Sequence, residues 1–458
     1  MASSGPATSI SGGRSNLVRA ETLELLKLSG PVVMSRLGIM TMGLSDAVVV
    51  GRYSAQELGF HALGWAPTSI VLTVGVGLLM GVQVMTARAV GEGRPRETGA
   101  VLRRGLVYSF WLGMAAMVVL ATLGPLVLQN IGLERTLAVG ASKAAVIFAL
   151  SLPFYVMACA GDFWLEGLGR PLPAMWIMWA SNLVNVLLLL WLVPGESGLP
   201  VAGAVAAAWS TFGARAFLLL ATAVYILRMR EARLFGVFAK PPREPELERQ
   251  QRRVGYGAGA SNFFEVAAFA SMNVIAGWIG GLAVAAWAVV LNVSALIFMV
   301  PLGLSVGTSV MVGRAYGSRD KAGVIRAGLV GFGVAAAFGV LVSLIVWPSA
   351  RLITTGYTTE ATVIAMAAPA LVLACLFFLA DALQVVIAHA LRARGDVLLP
   401  SITHLASYVL VMMPLGWWLA IPMGLGISGL VWAVIGASVM SAGLLALRFW
   451  QLSRRPLP

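Results

Sequence analysis

Charge is what this sequence lacks most. Of its 458 residues only 11 % are Asp, Glu, Lys or Arg, while 59 % are hydrophobic. An average soluble domain carries about a quarter charged residues, so a water-facing surface is not expected from this composition. The same numbers exclude a collagenous or disordered chain. Cysteine is scarce. The two residues, Cys159 and Cys375, lie inside apolar runs, read as buried packing, and offer neither a disulfide scaffold nor a C-x-x-C metal spacing. The first twenty residues are Ser/Gly-rich with scattered Arg and lack the apolar core of a signal peptide. Catalytic signatures are missing as well. There is no Gly-x-Ser-x-Gly, no His-Glu-x-x-His and no Walker motif, so neither a membrane enzyme nor an ATP-driven pump is expected. No filter-like loop suggests a channel.

What the chain has is long apolar runs. A helix that crosses a bilayer needs about 20 mostly apolar residues. Twelve segments qualify: 23–52, 58–86, 99–128, 137–165, 172–193, 199–227, 255–280, 283–312, 322–347, 361–391, 398–421 and 425–450. The expected fold class is all-α, a polytopic membrane protein of two six-helix lobes. The expected organisation is a tail over 1–22, an N-lobe over 23–227, a solvated linker over 228–253, a C-lobe over 254–450 and a tail over 451–458.

The net charge of +13 is distributed by side rather than by domain. Of 32 Lys and Arg, 26 fall in the termini, the linker and the even-numbered loops with their flanks. Only Arg52, Arg135, Lys143 and Arg351 fall opposite, while Arg36 and Arg215 lie within spans. By the positive-inside rule both termini are cytoplasmic, and no nucleic-acid partner is needed to explain the charge.

The two halves are copies. Gly77-x-x-x-Gly81-x-x-Val84-Met85-x-x-Arg88-Ala89-x-Gly91 repeats as Gly303-x-x-x-Gly307-x-x-Val310-Met311-x-x-Arg314-Ala315-x-Gly317, every pair offset by 226. Ser35 and Ser261, Leu165 and Leu391, and Gly169 and Gly395 share that offset. Six spans per copy give parallel repeats, an arrangement that places a substrate site between the lobes near mid-membrane.

Carboxylates inside spans are rare and usually functional, because a mid-bilayer charge costs about 2.5–3.5 kcal/mol or more. Asp46 lies in span 1, Glu265 in span 7 and Asp381 in span 10. No Lys or Arg is expected at the same depth in spans 7 and 10, so Glu265 and Asp381 either stay protonated or bind a small cation such as Na⁺. That behaviour suits coupling to H⁺ or Na⁺; the alternative is a protonated acid that ties helices together. Ser261 and Asn262 share a helical face with Glu265, as Gln384 does with Asp381, and their oxygens could complete a cation site. Asn182, Asn185 and Ser181 form a polar stretch in span 5. His61, His389 and His404 are expected near span ends. Arg36 and Arg215 are expected to snorkel or to pair. The Gly77/Gly81 and Gly303/Gly307 faces suggest close helix packing.

Taken together, these residues resemble the multidrug and toxic compound extrusion (MATE) family, over about residues 23–450. The pieces are Gly30-Pro31 and Asp46-x-x-x-x-Gly51 in span 1, and the Gly-rich segments ending in Arg-Ala-x-Gly in spans 2 and 8. They continue with Glu166-Gly167-Leu168-Gly169-Arg170-Pro171 after span 4, Asn182 and Asn185, and Glu265 with Gly280-Gly281 and Ala285-Ala286. Asp381 with Leu391-Arg392-Ala393-Arg394-Gly395-Asp396, and then Pro414-Leu415-Gly416, complete the set. The acids in spans 7 and 10 resemble the NorM-type branch. The resemblance implies a cation-coupling site at Glu265 and Asp381, with Asp46 in the N-terminal half. It also implies two polar residues four apart in span 5, for which Ser181 and Asn185 stand here. The expected function is export of cationic or amphipathic drugs in exchange for H⁺ or Na⁺, by alternating access, in a bacterial inner membrane. The chain is expected to act as a monomer with the lipid bilayer as its surroundings and without a bound cofactor. The rival expectation is a lipid-linked saccharide flippase of the same superfamily, which calls for a large cationic cavity and extra helices.

Overall fold

The computed structural model describes residues 10–130, 132–239 and 244–457. Residues 1–9 of the expected N-terminal tail, residues 240–243 of the linker and Pro458 lie outside the described residues. The first half contains α1 (Ile10–Tyr53), α2 (Ala55–Gly91), α3 (Thr98–Asn130), α4 (Arg135–Leu150), α5 (Leu152–Gly167), α6 (Pro171–Leu192) and α7 (Gly203–Arg228). The second contains α8 (Pro245–Ile279), α9 (Gly281–Gly317), α10 (Lys321–Tyr357), α11 (Ala361–Arg394), α12 (Leu398–His404), α13 (Met413–Ala420) and α14 (Gly426–Arg454). Among the described residues these form twelve helical spans long and apolar enough to cross a membrane, and the protein is a multi-pass membrane protein. α4 and α5 together make the fourth span. α12, a π-helical stretch Leu405–Met412 and α13 make the eleventh.

Two breaks have local causes. Pro153 has no N–H to donate to the carbonyl four residues back, so α4 stops at Leu150 and α5 restarts at Leu152. In span 11, Pro414 removes the same bond, and the preceding turns widen into the π-helix.

The helices outrun the expected spans. α1 begins at Ile10 rather than near residue 23, and α2, α9 and α11 run on to Gly91, Gly317 and Arg394. Arg88, Arg314, Arg392 and Arg394, which sequence alone places in loops and their flanks, are therefore helical. The expectation of a solvated linker over 228–253 is corrected in two places. Met229, Ala232, Phe235 and Val237 are buried. Phe235 stands edge-on against Trp164 at 5.9 Å between centroids, and Arg103 Nη2 donates to Val237 O at 2.6 Å. Four apolar side chains spread over nine residues are too few for a span, which is why the sequence hid this docking. From Pro245 on, the charged residues belong to the first turns of α8.

Each half has its own core, around Trp164, Phe163 and Leu152 in the first and Trp287, Met272 and Phe378 in the second. The halves meet crosswise, α1 on α9 and α2 on α8 and α9. Glycine makes this possible. A Cβ on Gly77 would lie 2.9 Å from Gly259 Cα, and one on Gly303 would lie 3.2 Å from Val33 Cα. The small-residue faces seen in the sequence are thus the contact between halves. Toward the end of the molecule that carries the linker, here the linker face, a third apolar cluster joins them, with Leu25 and Leu28 of α1 and Ala87 of α2 against Val310–Val312 of α9.

Candidate ion-coupling and substrate site

The cross-contact is locked at the linker face by two arginines at repeat-equivalent positions. Arg88 at the end of α2 donates to Ala393 O (2.9 Å) and Arg392 O (3.1 Å), the last carbonyls of α11 in the other half, and covers the Tyr316 ring at 4.9 Å. Arg314 at the end of α9 donates to Leu168 O (2.9 Å), just past α5 in the first half, and reaches Glu24 at 3.4 Å. A cation at a helix C-terminus satisfies orphan carbonyls and the helix dipole together. Each half therefore grips the helix end of the other.

In the first half, Asp46 is 3 % exposed and accepts a hydrogen bond from Thr211 Oγ1 of α7 at 2.8 Å. Its second oxygen has no partner, and Asn185 of α6 lies beside it with an unpartnered amide. Arg215 faces the same carboxylate. It is held by Ser151 Oγ, which accepts from Nη1 at 2.6 Å, and by the rings of Tyr155 (4.9 Å) and Trp65 (5.2 Å). The break between α4 and α5 is what turns the Ser151 hydroxyl toward Arg215. The other span 5 candidates go elsewhere. Asn182 Nδ2 donates to Gly38 O of α1 at 2.9 Å, and Ser181 Oγ donates to Ala214 O of α7 at 2.7 Å. The polar pair four apart thus divides into a site residue, Asn185, and a helix tie, Ser181. Thr211 was not legible in the sequence, because a threonine in an apolar helix carries no signal of its own.

A second buried charge cluster lies on the same half. Arg36 Nη2 of α1 meets Glu166 Oε1 of α5 at 3.4 Å, and Gln83 Nε2 donates to Glu166 Oε2 at 3.1 Å. Asp162, one turn before Glu166, accepts from Thr222 Oγ1 at 3.5 Å. Arg36 pairs rather than snorkels, and the sequence reading passed over Asp162 entirely.

In the second half, Glu265 of α8 and Asp381 of α11 are each partly exposed and lie close enough to interact. Gln384 Nε2 donates to Asp381 Oδ1 at 3.3 Å. The Tyr408 hydroxyl, from the π-helical stretch, faces both acids and Ser438 of α14. The expectation that no basic residue stands at this depth is corrected. Arg392 is 1 % exposed and folds inward, its Nη2 donating to Ser261 Oγ at 2.7 Å, within electrostatic reach of Glu265. The long side chain carries its charge inward from the helix end, which span boundaries alone do not reveal. Ser261 is therefore engaged by Arg392. Asn262 turns away to donate to Thr73 O of α2 at 2.9 Å. Beside the acids, the Tyr408 hydroxyl and Gln384 Oε1 are buried without protein partners, as are Ser438 Oγ next to Tyr408 and both ring nitrogens of His404, which packs on the Tyr408 ring. Such groups are costly unless they face a polar guest, about 1–3 kcal/mol each. The oxygens among them suit a hard cation. The three histidines lie toward the ends of their spans and pack against protein. His61 is buried edge-on against Phe148, His389 Nδ1 is 2.8 Å from Val385 O, and His404 stacks edge-on against Tyr408. Both cysteines are buried and unbridged.

The family model described as MatE matches residues 31–191 and 258–418, once in each half. Over 438 residues the chain is 58 % identical to a probable multidrug resistance protein NorM of Caulobacter vibrioides, covering 96 % of this chain and 93 % of that one. It is 30 % identical to the multidrug resistance protein PmpM of Pseudomonas aeruginosa, over 96 % of this chain and 93 % of the relative. Among solved structures it resembles the eukaryotic MATE transporter AtDTX14, with TM-score 0.86 and 17 % identity over 95 % of this chain and 98 % of that one. It also resembles an outward-facing multidrug resistance MATE family transporter of the MOP superfamily, with TM-score 0.87 and 18 % identity over 95 % and 97 %.

Proposed function

The chain belongs to the MatE family, and from this we propose that it is a secondary active exporter of cationic or amphipathic drugs, driven by inward H⁺ or Na⁺. The observation that carries the proposal is a pair of partly exposed carboxylates inside apolar spans, Glu265 of α8 and Asp381 of α11, within electrostatic reach of each other. An empty pair of carboxylates demands water; an occupied pair is neutralised and can be enclosed. Ion binding therefore has different free energy in a state that wets the site and one that shuts it, and only such a difference can drive a conformational cycle.

In the proposed cycle the lobes, residues 23–227 and 254–450, rock about their cross-contact. The locked linker face corresponds to an outward-open state. The ion enters at the acid pair from outside as the drug leaves. The ion then passes inward when Arg88 and Arg314 let go. Asp46, with Thr211, Asn185 and Arg215, forms the polar network of the N-lobe and contributes to the drug-facing surface. The charge bias supports a cytoplasmic linker face, and the bacterial relatives support a location in an inner membrane. The name of the Caulobacter relative supports the multidrug reading. The flippase alternative gains no support from twelve spans and mid-membrane acids.

The test is ethidium efflux from proteoliposomes under an imposed pH gradient and, separately, an imposed Na⁺ gradient. One of the two should drive efflux. Efflux indifferent to both would remove the antiport reading.

A further inference from the structure

Arg392 stands next to the proposed coupling site, yet the exchange cycle above gives its charge no part. A guanidinium stays charged under all ordinary conditions. This one is almost fully enclosed, anchored to Ser261 Oγ at 2.7 Å, and its Nε has no partner. Glu265 follows Ser261 by one helical turn on α8, and Asp381 lies close to Glu265. Glu265 is within electrostatic reach of both Asp381 and Arg392. The other titratable groups facing these charges are His389 and His404 beside Arg392 and Tyr408 beside the two acids; beyond His389 stands Arg36, whose charge is answered by Glu166 at 3.4 Å. The phenol is neutral in its ordinary state, and the fixed guanidinium beside the two imidazoles keeps them neutral.

Two negative charges and one positive charge leave a deficit of one. An uncompensated charge is strongly disfavoured once the site is enclosed, and one monovalent cation removes it. We infer that Arg392 is the built-in counter-ion of the Glu265–Asp381 site, so that the site takes up one monovalent cation per cycle rather than two. The inference rests on the coupling role proposed for the acid pair.

Two further observations point the same way. Under the repeat offset of 226, Arg392 corresponds to Glu166, and Ser261 to Ser35, the neighbour of Arg36. Both lobes thus hold one built-in charge at this place, of opposite sign, and the N-lobe answers its Glu166 with Arg36 at 3.4 Å. In addition, Arg88 of the other lobe holds the Arg392 and Ala393 carbonyls at 3.1 and 2.9 Å. The counter-ion is therefore fixed at its post while the linker face is closed. Opening that face frees the helix end that carries it, so Arg392 is a positioning residue shared by the ion site and the lock.

The experiment uses the full-length protein in liposomes, with ethidium as the drug and H⁺ and Na⁺ gradients as the two arms. With the membrane potential clamped at zero, the ion-to-ethidium ratio is read from the ethidium gradient that each fixed ion gradient holds at equilibrium, and the half-saturating ion concentration from initial rates. Wild type should exchange one ion per ethidium, and Arg392→Lys should keep that ratio. Arg392→Gln should move the ratio toward two and lower the half-saturating ion concentration by about tenfold, the effect of removing one nearby like charge. Glu265→Gln should lose its ion response, because one acid then faces one arginine. Adding Arg392→Gln to Glu265→Gln should bring a single-ion response back, since Asp381 alone again leaves a deficit of one. A wild-type ratio of two, an unchanged ratio and midpoint in Arg392→Gln, or a double mutant as unresponsive as Glu265→Gln would overturn the inference. If Arg392→Gln does not fold alone, the lysine variant and the charge-balanced double carry the test, and a lysine variant with an altered ratio also overturns it. A Glu265→Gln protein that keeps full gradient dependence is a different result: it removes the coupling role of the acid pair itself.

Discussion

A buried charge is defined by its partner, and in this protein the partners were what the sequence concealed. Asp46, Glu265 and Asp381 stood out as carboxylates in apolar runs, because an acid there has no ordinary reason to exist. Their surroundings did not stand out. Thr211, Arg392 and Tyr408 are brought to the acids by tertiary packing, and no spacing along the chain marks them. Arg36 was visible, but its partner Glu166 comes from a helix 130 residues away. Two predictions belong at this scale. Asp46→Asn should cut efflux several-fold while the protein still inserts and folds, because the amide keeps the Thr211 contact and loses the charge. Wild-type efflux at normal protein level would make Asp46 a structural tie. Arg36→Leu strands Glu166 in the interior beside Asp162, and breaking a buried pair from one side costs about 3–5 kcal/mol. Thermal unfolding should show a clearly lowered midpoint for Arg36→Leu and a partial recovery when Glu166→Leu is added. Equal midpoints for single and double would show that the pair is not coupled.

At the scale of the element, the number of spans was legible and the ends of their helices were not. Hydropathy reports the stretch that lipid requires. The helix itself continues until a cap, a glycine or a proline stops it, as α11 does at Gly395 in the left-handed region. The missed continuations hold Arg88, Arg314 and Arg392, so the lock between lobes was missed with them. The break at Pro153 and the π-helix before Pro414 are likewise unreadable without the fold, although proline hints at both. The glycine faces were read correctly as packing surfaces, but their partners lie across the repeat. Gly81→Ala should be destabilising by about 1–3 kcal/mol, because its Cβ would run into the Gln251 carbonyl of α8. Gly443→Ala meets open space inside α14 and should be mildly stabilising, by up to about 1 kcal/mol. Thermal stability of the purified variants distinguishes them, and an unaffected Gly81→Ala protein would show that the lobes have room to part at this level.

The whole molecule was the most legible scale, because its signals are sums over many residues. Low charge, twelve apolar runs, one offset shared by both halves and a one-sided distribution of Lys and Arg each survive errors at single positions. The linker is the exception, since its docking depends on four side chains. The orientation implied by the charge bias has a direct consequence. Single cysteines introduced at Gln250 and at Gly198, both exposed, should react with impermeant thiol reagents from opposite sides of the membrane. Labelling of both from the outside would invert or break the topology. The account as a whole turns on the acid pair as one ion site. The most direct measurement is gradient-driven ethidium efflux, with equilibrium ethidium binding alongside, for wild type, Glu265→Gln, Asp381→Asn and the double variant. Each single change should abolish gradient dependence while drug binding survives in part, and the double should be little worse than either single, as two groups acting as one site require. Full gradient-dependent efflux in either single variant would contradict the account, and losses that add would assign the two acids to separate sites.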